Sequence, residues 1–299
     1  MSTPVLYDIP GPRTRRRVLL GSIVAGAALL AVLGLALYRL AGQGQLSEER
    51  WGPLVNPLDA QFAAVWSGLL EALGLNITAA ALAMVLSLAI GTLLALTRIT
   101  SAAWYRWVVV GVIEVLRGLP VVIAIFLSYR ILPELGVELP RIWYLVIGLT
   151  AYNAVVIAEI VRSGVASLPR GQAEAASAIG LTHGQSLRLV QLPQSFRIML
   201  PALISQLVVV FKDTSLGFVI LFPEVISFAR IAIQTLGNPL QLYFVIAVLF
   251  IAINYLLGRF AQWVERRLSR ARIVVAAPNT PAVFTDESAA LTGMDRNGR

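Results

Sequence analysis

Six apolar stretches dominate this sequence, at roughly 18–40, 72–97, 107–130, 142–162, 200–221 and 240–262. A helix rises 1.5 Å per residue, so about 20 apolar residues cross the roughly 30 Å hydrocarbon core of a bilayer. Six such runs in 299 residues leave little chain for a water-soluble core. The expected fold class is all-α, a polytopic membrane bundle of about six transmembrane helices. Only 13% of residues are charged, about half the share found in soluble domains.

The residue inventory removes several chemistries. There is no cysteine, hence no disulfide and no thiolate nucleophile or metal ligand. His183 is the only histidine, too few for a zinc hydrolase or a histidine-based triad. Lys212 is the only lysine and follows Phe211, so no Gly-Lys step of a Walker A loop exists. No catalytic residue, cofactor or metal site is expected.

The net charge of +8 comes almost wholly from arginine. Its distribution sets the topology. With the N-terminus inside, the cytoplasmic side holds Arg13, Arg15, Arg16, Arg17, Arg98, Arg106, Arg162, Arg170, Arg188, Arg197, Arg259, Arg266, Arg267, Arg270 and Arg272. The outer side holds only Arg39, Arg50, Arg130, Arg141 and Arg230 near the membrane. Such a bias places both termini in the cytoplasm. It also accounts for the basic charge without nucleic acid; the partner is membrane lipid. The expected organisation is a basic N-terminus (1–17), a retained N-terminal membrane helix (18–40) and an external segment (41–71). In that segment Phe62, Val65, Trp66, Leu69 and Leu70 form an interfacial helix. A five-helix core (72–270) and a polar, disordered tail (271–299) follow.

The longest inner loop, 163–199, is not a linker by composition. Gln172 to Ile179 is Ala-rich and helix-forming, Gly180 can break that helix, and a second short segment from Gln185 to Leu192 is closed by Pro193. Two short helices on the cytoplasmic face make a docking knob for a soluble protein. The spacing Glu174-Ala175-Ala176, three residues, Gly180, nine residues, Val190, one residue, Leu192-Pro193 resembles the EAA loop of ABC importer permeases. Val190 stands where that family prefers Ile.

Further motifs narrow the resemblance to polar amino acid permeases. Gly74-Leu75-Asn76-Ile77-Thr78 is similar to their GLxxT, and Arg117-Gly118-Leu119-Pro120 to their RGTP, with Leu119 in place of Thr. Ala158-Glu159-Ile160-Val161-Arg162, Gly171-Gln172-Ala173-Glu174-Ala175-Ala176 and Lys212-Asp213-Thr214-Ser215-Leu216 resemble AEIxRxG, GQxEAA and KDTSL. These motifs cover about 70–270. The N-terminal Tyr7-Asp8-Ile9-Pro10-Gly11-Pro12 and the added first helix look like one of the paired permeases of glutamate uptake.

The resemblance implies a type I ABC importer permease fold in the plasma membrane. It implies four partners: an ATPase subunit dimer, a second permease subunit (homologous or identical), an external solute-binding protein and an amino acid substrate. It assigns ATPase coupling to Gln172, Glu174, Ala175, Ala176, Gly180, Leu181, Val190, Leu192 and Pro193.

Charge inside a bilayer is costly and faces protein or a cavity. Glu114 and Arg117, three apart, can share a helix face and pair, as can Glu159 and Arg162. Pro120 is expected to kink the third helix. Arg117, Pro120, Lys212, Asp213, Thr214 and Ser215 are candidates for the translocation path, with Arg117 and Lys212 buried. The alternative is that Arg117 and Lys212 pair with acidic residues. Thr214 and Ser215 can likewise bond their own helix's carbonyls. A rival class is a gradient-driven carrier or channel using Lys212 and Asp213 as an ion relay. The docking loop argues against it.

Overall fold

The protein is described by a computed structural model covering residues 11–100 and 103–270. The tail (271–299) and most of the N-terminal motif lie outside the described residues. Within them the chain is helical, with no strand. The elements are α1 (Pro12–Gly42), α2 (Glu48–Val55), α3 (Phe62–Thr100), α4 (Ala103–Gly118), α5 (Val121–Glu134), α6 (Arg141–Ala166), α7 (Arg170–Ala178), α8 (His183–Ser186), α9 (Leu192–Asp213), α10 (Val225–Leu236) and α11 (Pro239–Arg270). A π turn at Leu187–Gln191 joins α8 to α9, and a 3-10 turn at Thr214–Ile220 extends α9.

Among the described residues five segments are long and apolar enough to cross a membrane: α1, α3, α6, the run from α8 through the 3-10 turn, and α11. The bent pair α4–α5 makes a sixth if counted as one span. The bend is 104° and falls at Leu119-Pro120. Proline lacks the N–H of a helix interior and drives the residue before it out of helical geometry. The kink is thus a complete break.

α6 is the centre of the bundle, with thirteen buried residues, and it meets three neighbours through missing side chains. Along α3 the buried residues Asn76, Ala80, Ala83, Ser87, Gly91 and Ala95 form a narrow strip of small groups, the pattern that brings membrane helices close. A Cβ on Gly91 would lie 2.5 Å from the Ala154 carbonyl oxygen of α6. A Cβ on Gly148 would lie 2.4 Å from the Ile125 Cα of α5. On Gly164 it would lie 2.3 Å from Met199 Cγ of α9. α5 is pinned further by the Ser128 hydroxyl, which donates to the Tyr144 carbonyl at 2.5 Å.

One sequence expectation is revised. Phe62 to Leu70 is not a separate interfacial helix; it is the first turns of α3. Val65 and Leu69 are buried, and the Trp66 indole donates to the Leu54 carbonyl at 3.0 Å. Part of the amphipathic face, Val65 and Leu69, packs against protein while Leu70 stays exposed, and the helix continues unbroken for 39 residues. The external segment instead holds α2, tied down where Trp51 packs edge-on against Phe244 and Asn238 Nδ2 donates to the Arg50 carbonyl at 2.8 Å. α1 contributes no buried residue to the single chain.

Replacing Gly148 by Ala forces a methyl group into backbone rather than into a pliable side chain. We expect Gly148→Ala to destabilise the bundle by about 1–3 kcal/mol. Gly74→Ala, whose Cβ meets nothing within 4 Å, should be neutral or slightly stabilising. Thermal melts of the two variants in detergent check this.

Candidate functional site

The loop after α6 folds into a compact knob. α7 stops at Ala178, and Gly180 just beyond it takes φ +85, a left-handed conformation that glycine adopts without a Cβ penalty. The Gly180 and Leu181 amides donate to the Ser177 and Ala176 carbonyls at 3.0 and 3.1 Å, closing the helix end. Thr182 then caps α8: the Gln185 amide donates to its hydroxyl, and its own amide donates to Gln185 Oε1 at 2.9 Å. This reciprocal pair satisfies two helix-end donors.

Pro193 sits in the first turn of α9 rather than closing a preceding helix. A first-turn position needs no N–H, so proline starts the helix there. The second short segment is therefore continuous with the next membrane span. The knob is anchored on two sides. Gln194 Nε2 of α9 donates to Gln172 Oε1 of α7 at 2.9 Å, and Gln191 Nε2 donates to the Ser186 hydroxyl at 3.1 Å. Ala176 and Leu187 are buried beneath it. Glu174, Ala175, Gly180 and Pro193 face outward, with Ile179 77% exposed and Leu189 67% exposed. Leu181, Val190 and Leu192 are half-buried. Two large apolar side chains in the open beside a carboxylate suit a protein partner better than water.

Above the knob, Glu159 of α6 accepts hydrogen bonds from Arg162, one helical turn on, and from Arg98 Nη1 of α3 at 3.0 Å. The cluster clamps the ends of α3 and α6 immediately before the knob. Its atoms are part-exposed.

The remaining membrane charges depart from expectation. Glu114 and Arg117 form no ion pair among the described residues, and both are exposed. Arg117 ends α4 at the break before Pro120, where the chain turns away. Lys212 is also exposed, and Asp213 is half-buried. They lie at the end of α9, where it tightens into the 3-10 turn. Arg117 and Lys212 are therefore at the surface of the single chain, not in its core.

Thr214 is fully buried: its hydroxyl donates to the Phe211 carbonyl at 2.6 Å and accepts from Asn76 Nδ2 at 2.9 Å. Asn76 Oδ1 accepts the Val225 amide at 3.1 Å, so one side chain joins α3, the 3-10 turn and α10. Both hydrogen bonds of the Thr214 hydroxyl are thus made inside the chain. The Ser215 hydroxyl donates to the Lys212 carbonyl at 2.8 Å.

Comparison with known proteins decides what this architecture belongs to. Residues 87–270 match the family described as binding-protein-dependent transport system inner membrane component. The chain belongs to that family. It is 37% identical over 253 residues to the glutamate transport system permease protein GluD of Corynebacterium glutamicum, covering 81% of this chain and 89% of that one. It is 31% identical to the probable glutamine ABC transporter permease protein GlnP of Bacillus subtilis, covering 69% of this chain and 94% of that one. A solved structure, an amino acid ABC transporter crystallised with histidines, superimposes with a TM-score of 0.64 at 27% identity over 69% of this chain and 96% of its own. The fold is that of an ABC importer permease.

Within this inner membrane component, sequence reading missed three contributors. Arg98 is one strand of the clamp, Gln194 ties the knob to α9, and Asn76 joins three elements. Arg98 and Gln194 act through partners 61 and 22 residues away, beyond any local pattern. Asn76 carried a signal, as a lone amide in an apolar run that must find a partner.

Removing the Glu159 charge leaves two guanidinium groups facing each other. Glu159→Gln should lower the melting temperature more in low salt than in high salt, because salt screens the repulsion. The Arg98→Gln change added to it should recover part of the loss. A melt series across salt concentration reads both effects.

Proposed function

We propose that this chain is a membrane-spanning permease subunit of an ATP-driven importer for a polar amino acid, with glutamate the preferred substrate. The chain is the permease of an ABC amino acid importer at the coarser level its relatives share. Glutamate rests on the likeness to GluD, a glutamate permease by name, and on the N-terminal motif and added helix. ATP hydrolysis belongs to a separate subunit, because this chain holds no phosphate-binding loop.

The observation that carries the reading is the knob: an ordered, apolar-faced projection clamped between two membrane helices. In the proposed cycle an ATPase dimer receives Glu174, Ala175, Ile179 and Leu189 in its groove. Closure of the dimer on ATP pushes the knob. α6 and α9 follow, because Gln172–Gln194 and the Gly164–Met199 contact leave little slack.

In this reading the knob and both termini are cytoplasmic, which the arginine bias supports. An external solute-binding protein delivers substrate to the opposite face. Arg117, Lys212, Asp213 and Ser215, exposed or half-exposed on the single chain, line the path where a second permease chain closes it. Their mixed charge suits a zwitterion and does not by itself select an acidic side chain.

The test is uptake of labelled glutamate into proteoliposomes carrying the whole importer. ATP should be required, and Glu174→Arg should reduce uptake and substrate-stimulated ATP hydrolysis at least ten-fold while leaving the chain in the membrane. Uptake driven by an ion gradient without any ATPase, unaffected by Glu174→Arg, would assign the chain to gradient-driven carriers instead.

A further inference from the structure

A cleft of about 650 Å³ opens at the arginine-rich end of the bundle, between α3, α4, α6 and the start of α7. Arg98, Arg162 and Arg170 line it, together with Ile99, Val110 and Val165. We propose that this cleft binds the phosphodiester headgroup of an anionic phospholipid from the cytoplasmic leaflet.

Charge is the first argument. Glu159 offsets one of the three arginines through its bonds to Arg98 and Arg162. Arg170 has no ion pair among the described residues and is exposed. The cleft thus keeps an excess of positive charge at the arginine-rich end of the bundle. Arginine presents a planar fork of donors that matches phosphate oxygens.

The adjoining turn adds donors. α7 begins at Arg170 with Pro169 before it, no side-chain cap and no acidic residue in its first turn. Pro169, Arg170, Gln172 and Ala173 from that turn all line the cleft. The N-terminus of α7, the positive end of its dipole, thus opens on the same cleft as the arginines.

The walls choose lipid over a soluble phosphate. Ile99, Val110 and Val165 come from the last turns of α3 and α6 and from α4, elements that pack within the membrane. An apolar wall next to a cationic patch accommodates a headgroup with the beginning of its acyl chains. A free phosphate has no use for that wall.

The experiment is native mass spectrometry of the full-length chain in detergent, titrated separately with phosphatidylglycerol, phosphatidylcholine and glycerol phosphate. Wild type should retain phosphatidylglycerol in preference to phosphatidylcholine. Arg170→Gln should weaken phosphatidylglycerol binding about five-fold, the share of one cation at the surface. Ala173→Glu, which puts a carboxylate into the cleft, should weaken it at least as much. Lipid-free melting temperatures confirm that both variants are folded. Unchanged phosphatidylglycerol binding in both variants, or equal retention of both lipids, overturns the proposal. Glycerol phosphate displacing phosphatidylglycerol at equal concentration reassigns the cleft to a soluble phosphate ester and overturns the lipid assignment.

Discussion

Everything in this bundle depends on how closely α6 is held. Three glycine contacts bring α6 against α3, α5 and α9, and each would clash with a single added carbon. In a membrane, helices gain little from hiding apolar surface, because lipid is as apolar as they are. Close packing and a few polar bonds supply the attraction instead. The small-residue strip of α3, the glycines of α6 and the Ser128–Tyr144 bond are the local form of that rule. A rod held on three sides has little freedom except to move with its neighbours. That property connects the architecture to transport, since α6 runs directly into the knob.

The polar interior follows the same logic. Asn76 and Thr214 satisfy each other and their backbones, and Gln206 Nε2 donates to Asn153 Oδ1 at 2.7 Å between α9 and α6. Buried amides of this kind are expensive without partners and fix register with them. They lie inside the single chain. Arg117 and Lys212, which form no ion pair among the described residues, lie on its surface. The division separates groups that build the subunit from groups left for something outside it.

Much of this was legible in the sequence, for identifiable reasons. Spans and the basic end follow from hydropathy and arginine bias, which are one-dimensional signals. The knob was readable because Gly180 ends a helix locally, whereas the Thr182 cap on α8 came only with the structure. Pro193 misled because proline ends one helix and begins another with equal ease; only the chain's direction distinguishes them. Burial of Arg117 and Lys212 was misjudged because depth in a membrane differs from depth in a protein. Glu114 did not pair with Arg117 although the spacing allowed it, since a shared helix face permits an ion pair without requiring one and both side chains are exposed. At the amphipathic start of α3, Val65 and Leu69 pack against protein, and periodicity alone does not tell a protein-facing surface from a headgroup-facing one.

The central claim is that the knob and α9 move as one body when ATP binds. The absence of native cysteine allows spin labels at chosen positions. Ser177→Cys on α7 and Ser205→Cys on α9 are exposed sites for such a pair. Electron–electron distance measurements on the assembled importer, with and without ATP and vanadate, should find the Ser177–Ser205 distance unchanged. The distance from Ser177 to a label on the second permease chain should shift with nucleotide. A nucleotide-dependent change within the Ser177–Ser205 pair, with no change between subunits, would mean that the knob pivots on a loose hinge and would contradict the account.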